Sequence, residues 1–185
     1  PTTVSAPSSA GGNMTLVANG TIDINGKLTG SGSVLLDAAG DISIAAAVDP
    51  TTVTMEADDD IVISAAVTAT TLITVSAGQD GSGDVTLDGT APESGSLTTT
   101  AAGSDIEITS GGTTGAITLD GDVTTVDRLT LTSDGTGNIT QPSGTVLAAN
   151  LQVTATGDVT LAQATNDLDT VAADLNPGSL SLTDV

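Results

Sequence analysis

The chain has 185 residues, enough for one domain, and contains no Cys, His, Trp, Tyr or Phe. This composition excludes thiol nucleophiles, His-based catalytic triads and zinc sites built from Cys or His. With 23 acidic and two basic residues the formal net charge is −21, which argues against nucleic acid and anionic membranes as partners, because Lys and Arg neutralise phosphates.

The interior of the fold has to be built without aromatic rings. Val, Ile, Leu and Ala are the available core residues, and they suit a narrow core better than a broad one. The acidic residues predict a solvated, self-repelling surface. Such a surface also suits divalent-cation binding or high salt, and these alternatives stay open.

The beginning of the chain predicts a flexible lead or linker over residues 1–12, because Pro, Ser, Thr and Gly dominate it. This segment has neither the basic start nor the apolar stretch of a signal peptide. Since the first residue is Pro1 and not Met, we expect a processed product or a piece of a longer protein. The apolar-rich uncharged run of residues 61–79 contains six Ser or Thr and predicts two strands, so no membrane insertion is expected.

From residue 13 to residue 185 one pattern recurs, two apolar residues separated by a single residue. This triplet is typical of a short strand with one buried face. Thr99 and Gln141 occupy the second position of two triplets that are otherwise regular. The triplets are Met14/Leu16, Ile22/Ile24, Val34/Leu36, Ile42/Ile44, Val53/Met55, Ile61/Ile63, Ile73/Val75, Val85/Leu87, Leu97/Thr99, Ile106/Ile108, Ile117/Leu119, Leu129/Leu131, Ile139/Gln141, Leu151/Val153, Val159/Leu161, Val171/Ala173 and Leu180/Leu182.

The spacing of the triplets predicts how the strands are arranged. Steps of 8 and 12 residues alternate along much of the chain, so the repeating unit is a pair of strands of about 21 residues. We predict an all-β fold, a parallel β-solenoid (β-helix) of about eight coils with roughly 21 residues per coil over residues 13–185, and right-handed winding. Val48 and Val67 indicate a third short strand in some coils. A β-sandwich is the alternative, although hairpin spacing does not alternate so persistently.

Turn residues stand immediately before many triplets. Gly adopts positive φ without strain, and Asp or Asn bonds to the backbone at a corner. These pairs therefore predict the corners of the coils. They are Gly40-Asp41, Asp59-Asp60, Gly83-Asp84, Ser104-Asp105, Gly137-Asn138 and Gly157-Asp158.

Four stretches carry a family resemblance: GDISI (40–44), SGDVTLDGT (82–90), SDIEITS (104–110) and TGNITQPSGTVLAANLQVTATGDVTLAQATNDLDTVAA (136–173). Their strand starts and the coil length resemble filamentous-haemagglutinin-type adhesin passengers. The resemblance implies a secreted right-handed β-helix that forms long fibrous rods for attachment. The chain lacks the N-terminal secretion cap of that family.

Aspartates at predicted turns are the candidate metal ligands. Asp58, Asp59 and Asp60 are consecutive, and Asp80 and Asp84 flank a Gly-Ser-Gly turn. Calcium prefers such hard oxygen ligands, so these five residues predict a calcium site. The alternative is that they form turns on a solvated corner. No catalytic residue and no other cofactor is predicted.

The spacing of some threonines is compatible with a second binding function. Thr130/Thr132 and Thr154/Thr156 have the spacing of ice-binding solenoid faces, but no such rank recurs in every coil, and β-propensity is the simpler explanation. Three Asn-x-Thr sequons, at Asn13, Asn19 and Asn138, permit glycosylation in a suitable host.

Function is predicted from the repeat and from the missing residue types. Polysaccharide-cleaving β-helices need a cleft, aromatic residues for sugar stacking and basic groups, so we expect no enzyme. We expect a structural or adhesive rod, extracellular or at the cell surface, whose partners are copies of itself and a cell surface or matrix. Because neither end resembles a polar cap, we expect it to stack end to end into a filament or to form part of a long adhesin. The alternative is a calcium-binding or ice-binding module.

Overall fold

The computed structural model describes residues 1–90 and 94–185, and these residues form strands and turns without a helix. The strands pair in parallel throughout, and paired residues are 19 to 33 positions apart in the chain. The predicted all-β parallel β-solenoid is therefore confirmed. Each turn contributes one strand to each of three faces.

Face 1 is a sheet of nine strands, most of them three residues long. It consists of β1 (Thr2–Val4), β4 (Ile22–Ile24), β7 (Ile42–Ile44), β10 (Ile61–Ile63), β13 (Val85–Leu87), β16 (Ile117–Leu119), β19 (Ile139–Thr140), β21 (Val159–Leu161) and β23 (Leu180–Leu182).

Face 2 is built from strands of two to four residues and from the beginnings of two long ones. It consists of β2 (Ser8–Ala10), β5 (Leu28–Gly30), β8 (Val48–Asp49), β11 (Ala66–Ala69), β14 (Ser96–Thr99), β17 (Val123–Thr124) and the first residues of β20 (Val146–Ala155) and β22 (Asp167–Leu175).

Face 3 carries the longest strands, and the two long strands reach it from face 2. It consists of β3 (Met14–Ala18), β6 (Ser33–Ala38), β9 (Thr52–Ala57), β12 (Leu72–Ala77), β15 (Asp105–Ser110), β18 (Arg128–Ser133) and the remaining residues of β20 and β22.

The third strand is present in every complete turn and not only in some, which corrects the two-strand repeat inferred from spacing. Val48 and Val67 lie on face 2 as predicted and pair with each other. Most face 2 strands bury one large apolar residue and then a small or polar one, so they lack the triplet pattern. Their backbone pairing with the turns above and below makes them strands.

Residues 1–12 differ from the predicted flexible lead, because they contain β1 and β2. These two strands pair with β4 and β5. The segment therefore belongs to the first turn, and face 1 counts nine strands where the sequence predicts about eight coils. A polar Ser/Thr tract resembles a linker, but parallel pairing requires only a free backbone and does not need apolar side chains.

Turn length is constant near the start of the chain and increases in the middle. Ile22, Ile42 and Ile61 stack at intervals of 20 and 19 residues, whereas Val85 and Ile117 stack across 32. The additional residues lie in corner loops. Gly112 in one such loop has a φ of +80°, a conformation that favours Gly over residues with a side chain.

The core is a set of aliphatic columns along the axis. Ile22, Ile42 and Ile61 stack in one column, and each is fully buried. Stacking removes both apolar edges of an internal turn from water, which a single turn cannot do by itself.

Two of the buried polar residues, Thr99 and Gln141, occupy the second positions of the irregular triplets. Thr99 donates a hydrogen bond to the Thr125 hydroxyl (2.9 Å) and accepts one from Ser104 (2.8 Å). Gln141 and Asn166 exchange two amide hydrogen bonds of 2.8 Å each. Among the described residues no buried side-chain polar atom lacks a hydrogen-bond partner. The stack therefore accommodates polar residues at these core positions because their hydrogen bonds are made.

We expect Ile63→Ala to lower the free energy of unfolding by about 2–5 kcal/mol, because it leaves a cavity in the core. Its neighbour Val62 faces outward and is 36% exposed, so Val62→Ala should change that free energy by about 0.5 kcal/mol or less. Urea denaturation followed by circular dichroism measures both. Equal losses in the two variants would contradict the alternation of buried and exposed residues along β10.

Candidate functional site

A ladder of side-chain oxygens runs along the corner that precedes face 1. The backbone N–H of Asp60 donates to Asp41 Oδ1 (3.2 Å), that of Asp84 to Asp60 Oδ1 (2.8 Å), and that of Ala116 to Asp84 Oδ1 (2.8 Å). Each carboxylate thus accepts a hydrogen bond from the equivalent residue of the next turn. We call the residues whose side chains do this, Asp41, Asp60, Asp84, Asn138 and Asp158, the corner ladder.

The corner ladder resumes after Ala116. The backbone N–H of Asp158 donates to Asn138 Oδ1 (2.9 Å), and the N–H and hydroxyl of Ser179 donate to Asp158 Oδ1 (3.0 and 2.7 Å). The Ser179 hydroxyl, followed by its N–H, lowers the pKa of Asp158. A lowered carboxyl pKa stabilises the fold above the ordinary pKa of Asp, and this stability is lost as the pH falls through the lowered value.

The aspartates predicted to bind calcium divide into two sets. Asp60 and Asp84 belong to the corner ladder, where their side chains bind backbone N–H groups. Asp58 and Asp59 lie in the loop between β9 and β10, and Asp80 lies in the loop between β12 and β13. The N–H of Gly78 in the second loop donates to the backbone oxygen of Asp59 in the first (3.1 Å). Within the described ranges no group of three acidic side chains is placed so that it could hold a metal ion.

Asp58 lies close to three other carboxylates. Partial burial raises the pKa of Asp58, and the charges of Asp80, Asp37 and Asp59 raise it further. A raised carboxyl pKa favours the fold only below the ordinary value, and this contribution is lost as the pH rises. At neutral pH the ionised Asp58 therefore opposes folding, and a screening cation relieves that repulsion.

The two basic residues each lie beside acidic side chains. Arg128 contacts Asp105 at 2.8 Å and Glu107 at 3.7 Å across neighbouring strands of face 3. Lys27 lies 4.0 Å from Asp49, with both side chains exposed. Both contacts are with acids of the same chain, and exposed pairs of this kind contribute little to stability.

A second linear feature runs along the outside of face 1. The middle residue of each face 1 strand points outward, and these residues align in register from β1 to β23. Asp23 and Val62 occupy two of the positions, and the others carry hydroxyl groups. We call this set the hydroxyl column: Thr3, Ser43, Thr86, Thr118, Thr140, Thr160 and Ser181.

Sequence reasoning selected different threonines. Thr132 and Thr154 align in register on face 3, but Thr156 lies beyond β20 and its hydroxyl bonds to the Gly135 carbonyl. The sequence carries a pattern that marks the hydroxyl column. For most of the chain, the members of the column are the residues between the two apolar positions of every second triplet.

No protein-family model matches the chain, and no curated protein and no solved structure matches it either. None of the described residues forms a helix that is long and apolar enough to cross a membrane.

We expect calcium to raise the melting temperature no more than magnesium does at the same concentration. The reason is that diffuse screening of Asp58 and its neighbours needs no coordination geometry. Thermal melts with millimolar CaCl2, MgCl2 or EDTA measure this, and the Asp58→Asn/Asp80→Asn variant should respond less to both cations. A large response to micromolar calcium alone, absent from that variant, would establish the calcium site that the sequence predicts.

Proposed function

We propose that the chain is a structural and adhesive rod that works outside the cell or at its surface, without enzymatic activity of its own. The observation that carries the proposal is the uninterrupted axial stack. Nine strands of face 1 pair in sequence, and the two other faces follow them. At a strand spacing of about 4.8 Å, this stack is a rod of roughly 40 Å.

The construction of the rod favours mechanical use over chemistry. Parallel backbone hydrogen bonds along the axis join every turn to the next, and the corner ladder adds side-chain bonds in the same direction. A repeat of this kind transmits load along its axis and displays side chains at a fixed spacing. No His or Cys is present for acid–base or nucleophilic catalysis.

The extracellular setting is supported by charge and by resemblance. A net charge of −21 keeps a long β-rich rod soluble and discourages sideways pairing of its edges. The strand starts at 40–44, 82–90 and 104–110 resemble those of filamentous-haemagglutinin-type adhesins, in which such rods serve attachment. A cell surface or an extracellular matrix is the partner that fits this use.

Attachment can be tested with coated beads under flow. We expect beads that carry the chain to stay on cells or matrix proteins at shear rates that remove albumin-coated beads. Deleting residues 22–41 removes one turn and brings Ile42 to the register position of Ile22, so this shorter rod should still attach. The core variant Ile63→Asp should unfold and lose attachment. Detachment of native and albumin-coated beads at the same shear would reject the adhesive role.

Axial continuation is the second part of the proposal. At one edge β1, β2 and β3 are each paired on one side, and at the other edge β22 and β23 are. Face 1 has one strand more than faces 2 and 3, so the spiral can be continued by a further stretch of a longer adhesin or by a second copy that is rotated by one face. Its β1 and β2 then lie on β22, and its β3 lies on β23. The core-facing residues Val171 and Leu180, 39% and 37% exposed, would be covered by this contact.

We expect electron microscopy of the native chain to show filaments one solenoid wide. Leu180→Asp places a charge in the proposed contact and should leave short single rods, whereas Ser181→Asp, whose side chain faces outward, should preserve the filaments. Sedimentation velocity gives the same comparison in solution. Single rods of the native chain at all concentrations would reject stacking between copies, and they would leave the attachment result unaffected.

A further inference from the structure

The hydroxyl column repeats from turn to turn along the outside of face 1. Its five positions from Thr86 to Ser181 follow one another on consecutive strands without interruption. Parallel pairing places equivalent residues about 4.8 Å apart, so this part of the column presents a hydroxyl and its Cβ at a constant axial interval. The regularity comes from backbone pairing and is independent of the side chains themselves.

The column is held rigidly. Threonine is branched at Cβ, which restricts its side-chain rotamers on a pleated sheet. Beside the column, the corner ladder ties Asp84 to Ala116 and Asn138 to Asp158 across successive turns. Little side-chain freedom is therefore lost when the hydroxyls order the solvent above them.

The hydroxyls of the uninterrupted part are available to solvent. Elsewhere in the chain threonine hydroxyls bond to one another or to serine, as Thr145 does with Thr165 and Thr113 with Ser82. In the described part of the chain Thr86, Thr118, Thr140 and Thr160 have no such partner. Each can therefore donate to and accept from water.

The column is uncharged although the surface around it is acidic. From Ser43 to Ser181 it contains no ionisable side chain, in a chain with 23 acidic residues. A neutral file of hydroxyls does not attract counter-ions, and its methyl groups give it an apolar component. A sugar polymer would also meet hydroxyls, but the chain has no aromatic ring on which a sugar ring could stack.

We propose that the hydroxyl column binds ice. Its hydroxyls hold a file of water molecules at the strand spacing, and this file joins the surface of a growing crystal. Regular spacing, rigidity, neutrality and unpaired hydroxyls together allow this surface to hydrogen-bond an ordered file of water molecules. This inference is independent of the adhesive role, because it concerns one face of a single rod.

The test compares two matched pairs of substitutions on different faces. Thr118→Lys/Thr140→Lys blocks neighbouring positions of the column, whereas Thr98→Lys/Thr124→Lys makes the same change in charge on the outside of face 2, where these residues are also neighbours. Thr118→Val/Thr140→Val keeps the branched shape and removes only the hydroxyls. Circular dichroism melts confirm that each variant is folded.

The readouts are thermal hysteresis and inhibition of ice recrystallisation by the purified chain. We expect the native chain and the face 2 variant to show both effects, the Lys pair in the column to lose at least about tenfold in activity, and the Val pair to lose severalfold. Native activity no greater than that of albumin at the same concentration would overturn the proposal. Equal loss in the face 1 and face 2 variants would overturn it too.

Discussion

Parallel in-register stacking of turns is the constraint on which the rest of the structure depends. Once Ile22, Ile42 and Ile61 lie above one another, every other residue of those turns has a fixed neighbour about 4.8 Å away along the axis. The core then consists of columns, each as wide as one side chain. Aliphatic residues suit such narrow columns, which agrees with a chain that contains no aromatic residue.

The same stacking brings like charges together. Asp37 aligns with Glu56, and Asp41 precedes Asp60 and Asp84 along one corner. The fold reduces the repulsion by turning corner carboxylates toward the N–H groups of the next turn, where a negative charge is favourable. In the described part of the chain no backbone N–H donates to the Asp58 side chain, and partial burial, followed by the charges of Asp80, Asp37 and Asp59, raises its pKa. Acidic side chains are therefore both the links between turns and the source of their repulsion.

Much of the fold could be predicted because its strongest signals are local. Apolar-x-apolar triplets identify the strands of faces 1 and 3, and Gly-Asp or Gly-Asn pairs identify the corners. The strands of face 2 could not be read in this way, since pairs such as Val123–Thr124 bury one large side chain. The strands of residues 1–12 were missed for a similar reason. In both cases pairing with the backbone of a neighbouring turn determines the conformation, and the polar side chains of these strands do not predict that pairing.

The candidate sites divide in the same way. The sequence by itself determined that the protein is a stacked, aspartate-rich β-structure, because strand period, turn chemistry and charge are properties of short segments. Only the tertiary structure decided that Asp60 and Asp84 bond to the backbone of the next turn, and that the charge of Asp80 acts on Asp58. It also decided which threonines share a column. These relations join residues about 20 to 32 positions apart, and insertions in the corner loops change that interval from turn to turn. The stacking of the turns sets these relations, and no local sequence pattern predicts them.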